Sequence, residues 1–322
     1  MRWLTVTLPV TLFALLLALL GGPTRADEPA SLGFHQGQIL EVGTGRPVAF
    51  EDLIARLATH EVIYLGEEHR NRSHIDAAIK VLRALLERDR QPVLALEMFA
   101  WDGQAGLDRY LSDRDTAREA FLRESRWEQN WGGPFEDYEP LIAFARDRRS
   151  VVLALNPPRS LVRQVATEGL SKAMADPEMR QLGIQDEQFP EDPDYRDKIL
   201  SQLRLCHAGL SEEAYERMYE ASVFRDEMMA RMIAKSLRPA RTLAVKEGPF
   251  VSYTGGGHIQ YRLPIPNRVS RRRGGDVRQV TIYMTAYDSS RDQQIQELIR
   301  EPIADYLWLT PVSAHGAPRR CR

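Results

Sequence analysis

The 322-residue chain holds two cysteines, Cys206 and Cys321. Neither sits in a CxxC or CxxCH pattern, which disfavours zinc ribbons and thioether-attached cofactors. Two cysteines do not make a disulfide scaffold. An exported chain can pair them, or Cys321, one residue from the C-terminus, is frayed. No internal repeat and no low-complexity tract is present. Net charge is small as well: 43 basic side chains stand against 45 acidic ones, a balance with no general attraction for nucleic acid. The local exception, SRRRGG at residues 270–275, reads as a solvated cationic loop.

The one long apolar run is terminal. Residues 1–29, MRWLTVTLPVTLFALLLALLGGPTRADEP, place a cation before the run and small, turn-forming residues after it, the pattern of a secretory signal. The small residues Thr24 and Ala26 put cleavage after Ala26. Residues 3–20 approach bilayer-spanning length, so an uncleaved membrane anchor is the alternative. No cysteine follows the run, which argues against a bacterial lipid anchor. Removing residues 1–26 takes two arginines and no acid, leaving a formal charge of about −4. The expected product is periplasmic or secreted, touches membrane only through its export signal and has no nucleic-acid partner. Its length suits one large domain or two small ones.

Four short apolar runs read as buried strands: VIYLG from Val62, PVLALEMF from Pro92, VVLALN from Val151 and VTIYMT from Val280. Between the first two, Ile75, Ile79, Leu82, Leu85 and Leu86 recur at helical spacing, with Arg83, Glu87 and Arg88 on the opposite face. Strand and helix in alternation predict an α/β fold with a mainly parallel sheet flanked by helices. From residue 160 to 241 the texture becomes charged and helical, with no strand signal. It predicts an all-helical insertion forming a smaller subdomain and ending in a long helix over residues 211–237. The sheet is then expected to resume over 242–322, completing the part begun at 33–159, with DYLWLT from Asp305 as a further strand.

In an open parallel sheet, ligands collect beyond the carboxyl ends of the strands. YLGEEH at residues 64–69 ends one strand there, Glu97 ends the next, and His258 follows TGGG after a later one. Glu67, Glu68, His69, Glu97 and His258 therefore converge on one rim, where carboxylates and imidazoles can exchange protons or bind a divalent ion. Arg225, in FRDEMM, neutralises a developing oxyanion if the long helix packs over this rim; an intrahelical or surface ion pair is its simpler role.

YLGEEHRNRSH, PVLALEMF, SVFRDEMMARMI, TGGGHIQYRLPIPNRV and DYLWLTP, in that order, resemble the ChaN-like haem-binding uptake proteins of the Tiki superfamily. The resemblance implies an α/β domain with a helical insertion, and haem or iron as ligand. It also implies a homodimer around two cofacial haems, with a tyrosine of one subunit on each iron and a histidine and lysine of the other on the propionates. The wider superfamily, which takes in TraB/PrgY-type proteins, metal-dependent peptidases and erythromycin-type esterases, shares two GxxH motifs and an intervening glutamate. Gly66 to His69, Glu97 and Gly255 to His258 fill those positions.

No motif identifies the haem tyrosine. Local reasoning selects Tyr219 and Tyr215, one turn apart on the long helix, with His207 nearby; tyrosine at such spacing is also an ordinary core pattern. Three functions remain in view: an exported haem- or iron-binding protein, a metal-dependent hydrolase using His69, Glu97 and His258, and an interaction module with an idle rim.

Overall fold

The computed structural model describes residues 33–237 and 247–313. The expected signal segment and the Cys206–Cys321 pairing involve residues outside these. Eight strands form one sheet: β1 (Ile39–Glu41), β2 (Arg46–Pro47), β3 (Val62–Glu67), β4 (Gln91–Ala100), β5 (Val152–Asn156), β6 (Glu247–Gly255), β7 (Gln279–Ala286) and β8 (Tyr306–Thr310). Their spatial order is β2-β1-β8-β7-β3-β6-β4-β5. Strands β3 to β8 pair in parallel, while β1 pairs antiparallel with both β2 and β8. The four apolar runs and DYLWLT are strands, as expected.

Alternation within β3 divides the core. Ile63 and Leu65 face one side and pack with Ile75, Ala78, Val81, Leu82 and Leu85 of the Arg72–Glu87 helix. Tyr64 faces the other side with Ala95 and Phe250, under Met229, Ala230 and Ile233 of a long helix, Glu212–Ser236, and Ile265 and Val269 of the helix Ile265–Arg272. The period-2 pattern of strands buried on both faces forces this two-layer cover.

Between β5 and β6 every described element is a helix, from Arg159–Glu168 through Pro193–Cys206 to the long helix. Ser211 caps the last, its side chain accepting from the Ala214 N–H, and two glutamates occupy the first turn. The middle of this helix packs Phe224 and Met228 against Leu161 and Val165, while Met229, Ala230 and Ile233 lie on the sheet.

The SRRRGG segment is not a solvated loop. Arg271 and Arg272 end the Ile265–Arg272 helix and bond the fully buried carboxylate of Glu227, with Arg268 Nε 3.1 Å from it as a third cation. Arg272 also reaches Glu187 at 2.6 Å. A cationic run next to a helix is drawn onto a buried acid because that acid has no water to neutralise it.

At the β5 edge, the Gln104 amide donates to the Val152 carbonyl at 2.9 Å and accepts from the Ala154 N–H at 2.7 Å. The exposed ladder of the edge strand is thereby partly filled by a side chain.

Candidate functional site

The carboxyl ends of β3, β4 and β6 adjoin, so Glu67, Glu97 and Gly255 are brought together by pairing alone. His69 follows in the exit turn of β3. The next residue, Arg70, has φ 65°, which turns the chain so that Asn71 caps the Arg72–Glu87 helix by accepting from the Ser73 N–H.

Glu67 is buried and takes three donors. The Tyr138 hydroxyl donates at 2.9 Å, the Tyr253 hydroxyl at 2.6 Å and His69 Nδ1 at 2.7 Å. This fixes the His69 tautomer and orientation, and the ring edge of Trp131, 5.2 Å away between centroids, supports it. Burial draws the His69 pKa down, but the Glu67 bond and the charge of Glu97 outweigh it and the net shift is upward. The side chain stays 44% exposed. Its Nε2 faces Gly255, where a Cβ would sit only 2.8 Å away; glycine is needed for this close approach.

Glu97 is wholly buried. Arg225 Nη2 donates to Oε1 at 2.5 Å and the Gly255 N–H to Oε2 at 2.6 Å, while His258 Nε2 lies 3.3 Å from Oε1. Burial alone would raise its pKa, yet the His258 and Arg225 charges hold the carboxyl well below the usual range. The other nitrogen of His258, Nδ1, donates to Asp226 Oδ1 at 2.5 Å, and the Tyr195 hydroxyl donates to Asp226 Oδ2 at 2.6 Å. Burial disfavours the His258 cation, but the charges of Glu97 and Asp226 prevail and push it up to about 9. With a carboxylate on each nitrogen, His258 is an imidazolium at neutral pH and has no free lone pair.

Arg225, Asp226 and Glu227 are consecutive. Successive helical residues project about 100° apart, so these three reach Glu97, His258 and the arginines of the Ile265–Arg272 helix respectively. Arg225 thus sits over the rim, tied also to Asn156 at 2.9 Å, rather than in the intrahelical or surface pair that was its simpler expectation. Asp226, Tyr195, Tyr138 and Tyr253 escaped the sequence reading. Only Asp226, beside Arg225, carried a usable signal there.

Glu68 turns away from this group. It accepts from the Thr285 hydroxyl at 2.6 Å and the Ala286 N–H at 2.8 Å, and burial raises its pKa. Its own N–H donates to Nδ1 of His74, which burial holds neutral by lowering its pKa to about 3. Glu68 belongs to the packing of β3 on β7, not to the rim site. Among the described residues no group of three or more His, Cys, Asp or Glu side chains is arranged to hold a metal ion. Of the three expected ligands, Glu97 and His258 pair with each other, and His69 pairs with Glu67 instead.

The tyrosines chosen as iron ligands are core residues. Tyr215 and Tyr219 pack with Tyr195, Leu200 and Val223. The Tyr215 hydroxyl donates to the His207 carbonyl at 2.7 Å. Burial raises the Tyr219 pKa, which opposes the phenolate a ligand requires. His207 itself is exposed at the end of the Pro193–Cys206 helix.

Comparison with known proteins follows the same lines. A structure titled cofacial heme binding to ChaN of Campylobacter jejuni is similar over 84% of this chain and 95% of its own, with a TM-score of 0.63 and 20% identity. An erythromycin esterase variant in its open conformation is more distant, at a TM-score of 0.46 and 16% identity over 79% of this chain and 77% of its own. A curated relative, Protein RETICULATA-RELATED 5, chloroplastic, of Arabidopsis thaliana, is 24% identical over 303 residues, covering 88% of this chain; the chain spans 38% of that protein's length. The family model described as haem-binding uptake, Tiki superfamily, ChaN matches residues 53–269, and the chain belongs to that family.

Proposed function

We propose that the chain is an exported haem- or iron-binding protein acting in iron or haem uptake, and that it forms a homodimer when loaded. The observation that carries the binding reading is the state of His258. With Asp226 on one nitrogen and Glu97 on the other, it offers neither a lone pair to a metal nor a base to a substrate. The rim is a closed polar seam at that point, which favours binding over turnover in a family described by haem binding.

Tyr215 and Tyr219, buried as they are, do not fit as haem ligands. Donors that do fit lie elsewhere: Tyr261 lines an open cleft, and His69, its side chain 44% exposed, keeps Nε2 outside its bond to Glu67. When bound, haem supplies a ferric centre that takes an anionic oxygen or an imidazole nitrogen; the chain's part is to present one and to exclude water. Titration with hemin tests the reading. A shifted Soret band saturating at micromolar hemin, with a doubling of mass by light scattering, is expected. An unshifted band overturns it.

One observation favours a second reading. His69, unlike His258, has one nitrogen free while Glu67 holds the other, the arrangement of a general base. In a hydrolase, Nε2 would take a proton from water and Arg225 would face the developing oxyanion. The expected signature is ester or peptide hydrolysis that survives chelation and is lost in His69→Ala. No turnover across a panel of such substrates removes this alternative.

A further inference from the structure

We propose that the chain holds a phosphate site away from the rim, where the last two turns of the long helix meet the last turn of the helix Ile265–Arg272. Its ligand is a phosphomonoester dianion, free in solution or carried as a lipid head group, held by Lys235, Arg231 and Arg272. The inference goes beyond haem or iron binding and does not depend on it. The long helix reaches the rim at Asp226, through His258, whereas Ile233, two turns on, packs in one core cluster with Val62 and Phe250 near the beginnings of β3 and β6. Arg231 and Lys235 lie at that second end.

The cations there outnumber the acids. Arg231 and Lys235 stand one turn apart on one helix face. Arg231 Nε donates to Glu187 at 2.5 Å and Arg272 Nη1 donates to the same carboxylate at 2.6 Å, so Glu187 draws cations of two helices to one point. Glu227 gathers Arg268, Arg271 and again Arg272. Five cations therefore face two carboxylates, and satisfying those carboxylates accounts for two of the five. The carboxyl ends of the two helices supply about half a negative charge each, which leaves an excess of about two positive charges. On a chain whose formal net charge is −2 this is a local reversal of sign. A phosphomonoester carries about −1.5 to −2 at pH 7 and matches it.

Lys235 is the member of the group without a carboxylate of its own. It forms no ion pair with another described residue, and it is exposed, so a ligand reaches it from solvent. Burial of its stem and the charges of Arg231 and Arg272 lower its pKa, with Glu187 opposing them; a bound dianion relieves that repulsion. The two arginines are already in place. Glu187 fixes both guanidinium groups, and Arg231 Nη2 is tied to the Gly183 carbonyl at 2.9 Å. Rigid, planar forks held in advance suit the oxygens of a phosphate, with the ammonium of Lys235 as a mobile point charge that completes the site.

The test titrates the full chain with inorganic phosphate by calorimetry at fixed ionic strength, and in a second arm with phosphatidylcholine vesicles containing phosphatidic acid. Lys235→Met removes the charge of an exposed side chain and keeps its apolar stem, so the fold is preserved; circular dichroism verifies this. Lys172→Met removes an equal charge from an exposed lysine on another helix. Wild type and Lys172→Met are expected to bind saturably, and Lys235→Met at least about tenfold more weakly. Phosphate binding with this pattern assigns a free phosphomonoester. Vesicle binding with this pattern, without binding of inorganic phosphate, assigns a lipid head group. Equal losses in the two lysine variants mean general charge attraction and overturn the site. Binding in neither arm, or binding that Lys235→Met leaves unchanged, overturns it as well.

Discussion

Asp226 Oδ1 lies 2.5 Å from Nδ1 of His258, joining the middle of the long helix to the turn that ends β6. The contact makes a cation of a histidine and a strut of a helix. Asp226→Asn removes one of the two charges that hold His258 near 9, and its pKa is expected to fall by about one unit or more, ~1.4 kcal/mol. An NMR titration of the imidazole reads this directly; an unchanged midpoint means that Glu97 alone sets the charge.

The same raised pKa fixes a pH dependence. The folded chain holds a proton on His258 that the unfolded chain releases near 6.5, so the stabilisation is complete below that pH. It is lost as pH rises towards about 9. Urea unfolding across this window is expected to show declining stability, and Asp226→Asn to flatten the decline.

Acid acts through a different histidine. His74 stays neutral until about pH 3, whereas its unfolded form takes a proton near 6.5. Stability therefore falls as pH drops through that interval, by up to ~1.4 kcal/mol per pH unit. Glu97, depressed by His258 and Arg225, adds to the loss at the acid end. His74→Gln is expected to weaken the fold at neutral pH, since the Glu68 N–H loses its acceptor, yet to reduce the slope between pH 6.5 and 4. A slope equal to wild type would place the acid sensitivity elsewhere.

Arg225→Met leaves Glu97 buried beside a single cation. Breaking one partner from a buried pair costs about 3–5 kcal/mol, and Arg225 is 29% exposed, so the lower end applies. Double replacement with Glu97→Gln should recover part of that loss, a coupling visible in a thermal double-mutant cycle.

Gly255→Ala puts a methyl group 2.8 Å from His69 Nε2 and 3.5 Å from Glu97 Oε2. The exposed imidazole is expected to give way, breaking its bond to Glu67, while the His258 pair stays intact. Loss of the His69 shift without change at His258 in an NMR titration is the expected outcome.

Much of this was legible in sequence where neighbours along the chain decide the structure. β3, β4 and β7 are continuous apolar runs, and the Arg72–Glu87 helix announces itself by period. β1 and β2 were missed because three and two residues are too short for any periodicity to register. The rim was found by the rule for strand ends, but the division of labour between His69 and His258 was not. It depends on Asp226 and Tyr195 arriving from the helical insertion. Tyr215 and Tyr219 lie on the expected helix, but the spacing that suggested a cofactor face belongs to its packing face. The run at residues 270–275 looked solvated because nothing in its own sequence points to Glu227, more than forty residues away.

Gln104 has a consequence beyond its two hydrogen bonds. To β5 it presents a donor and an acceptor where another strand would present them, so a second copy arriving at that edge finds the position taken. The edge is thereby blunted against strand addition at the point where it is most regular.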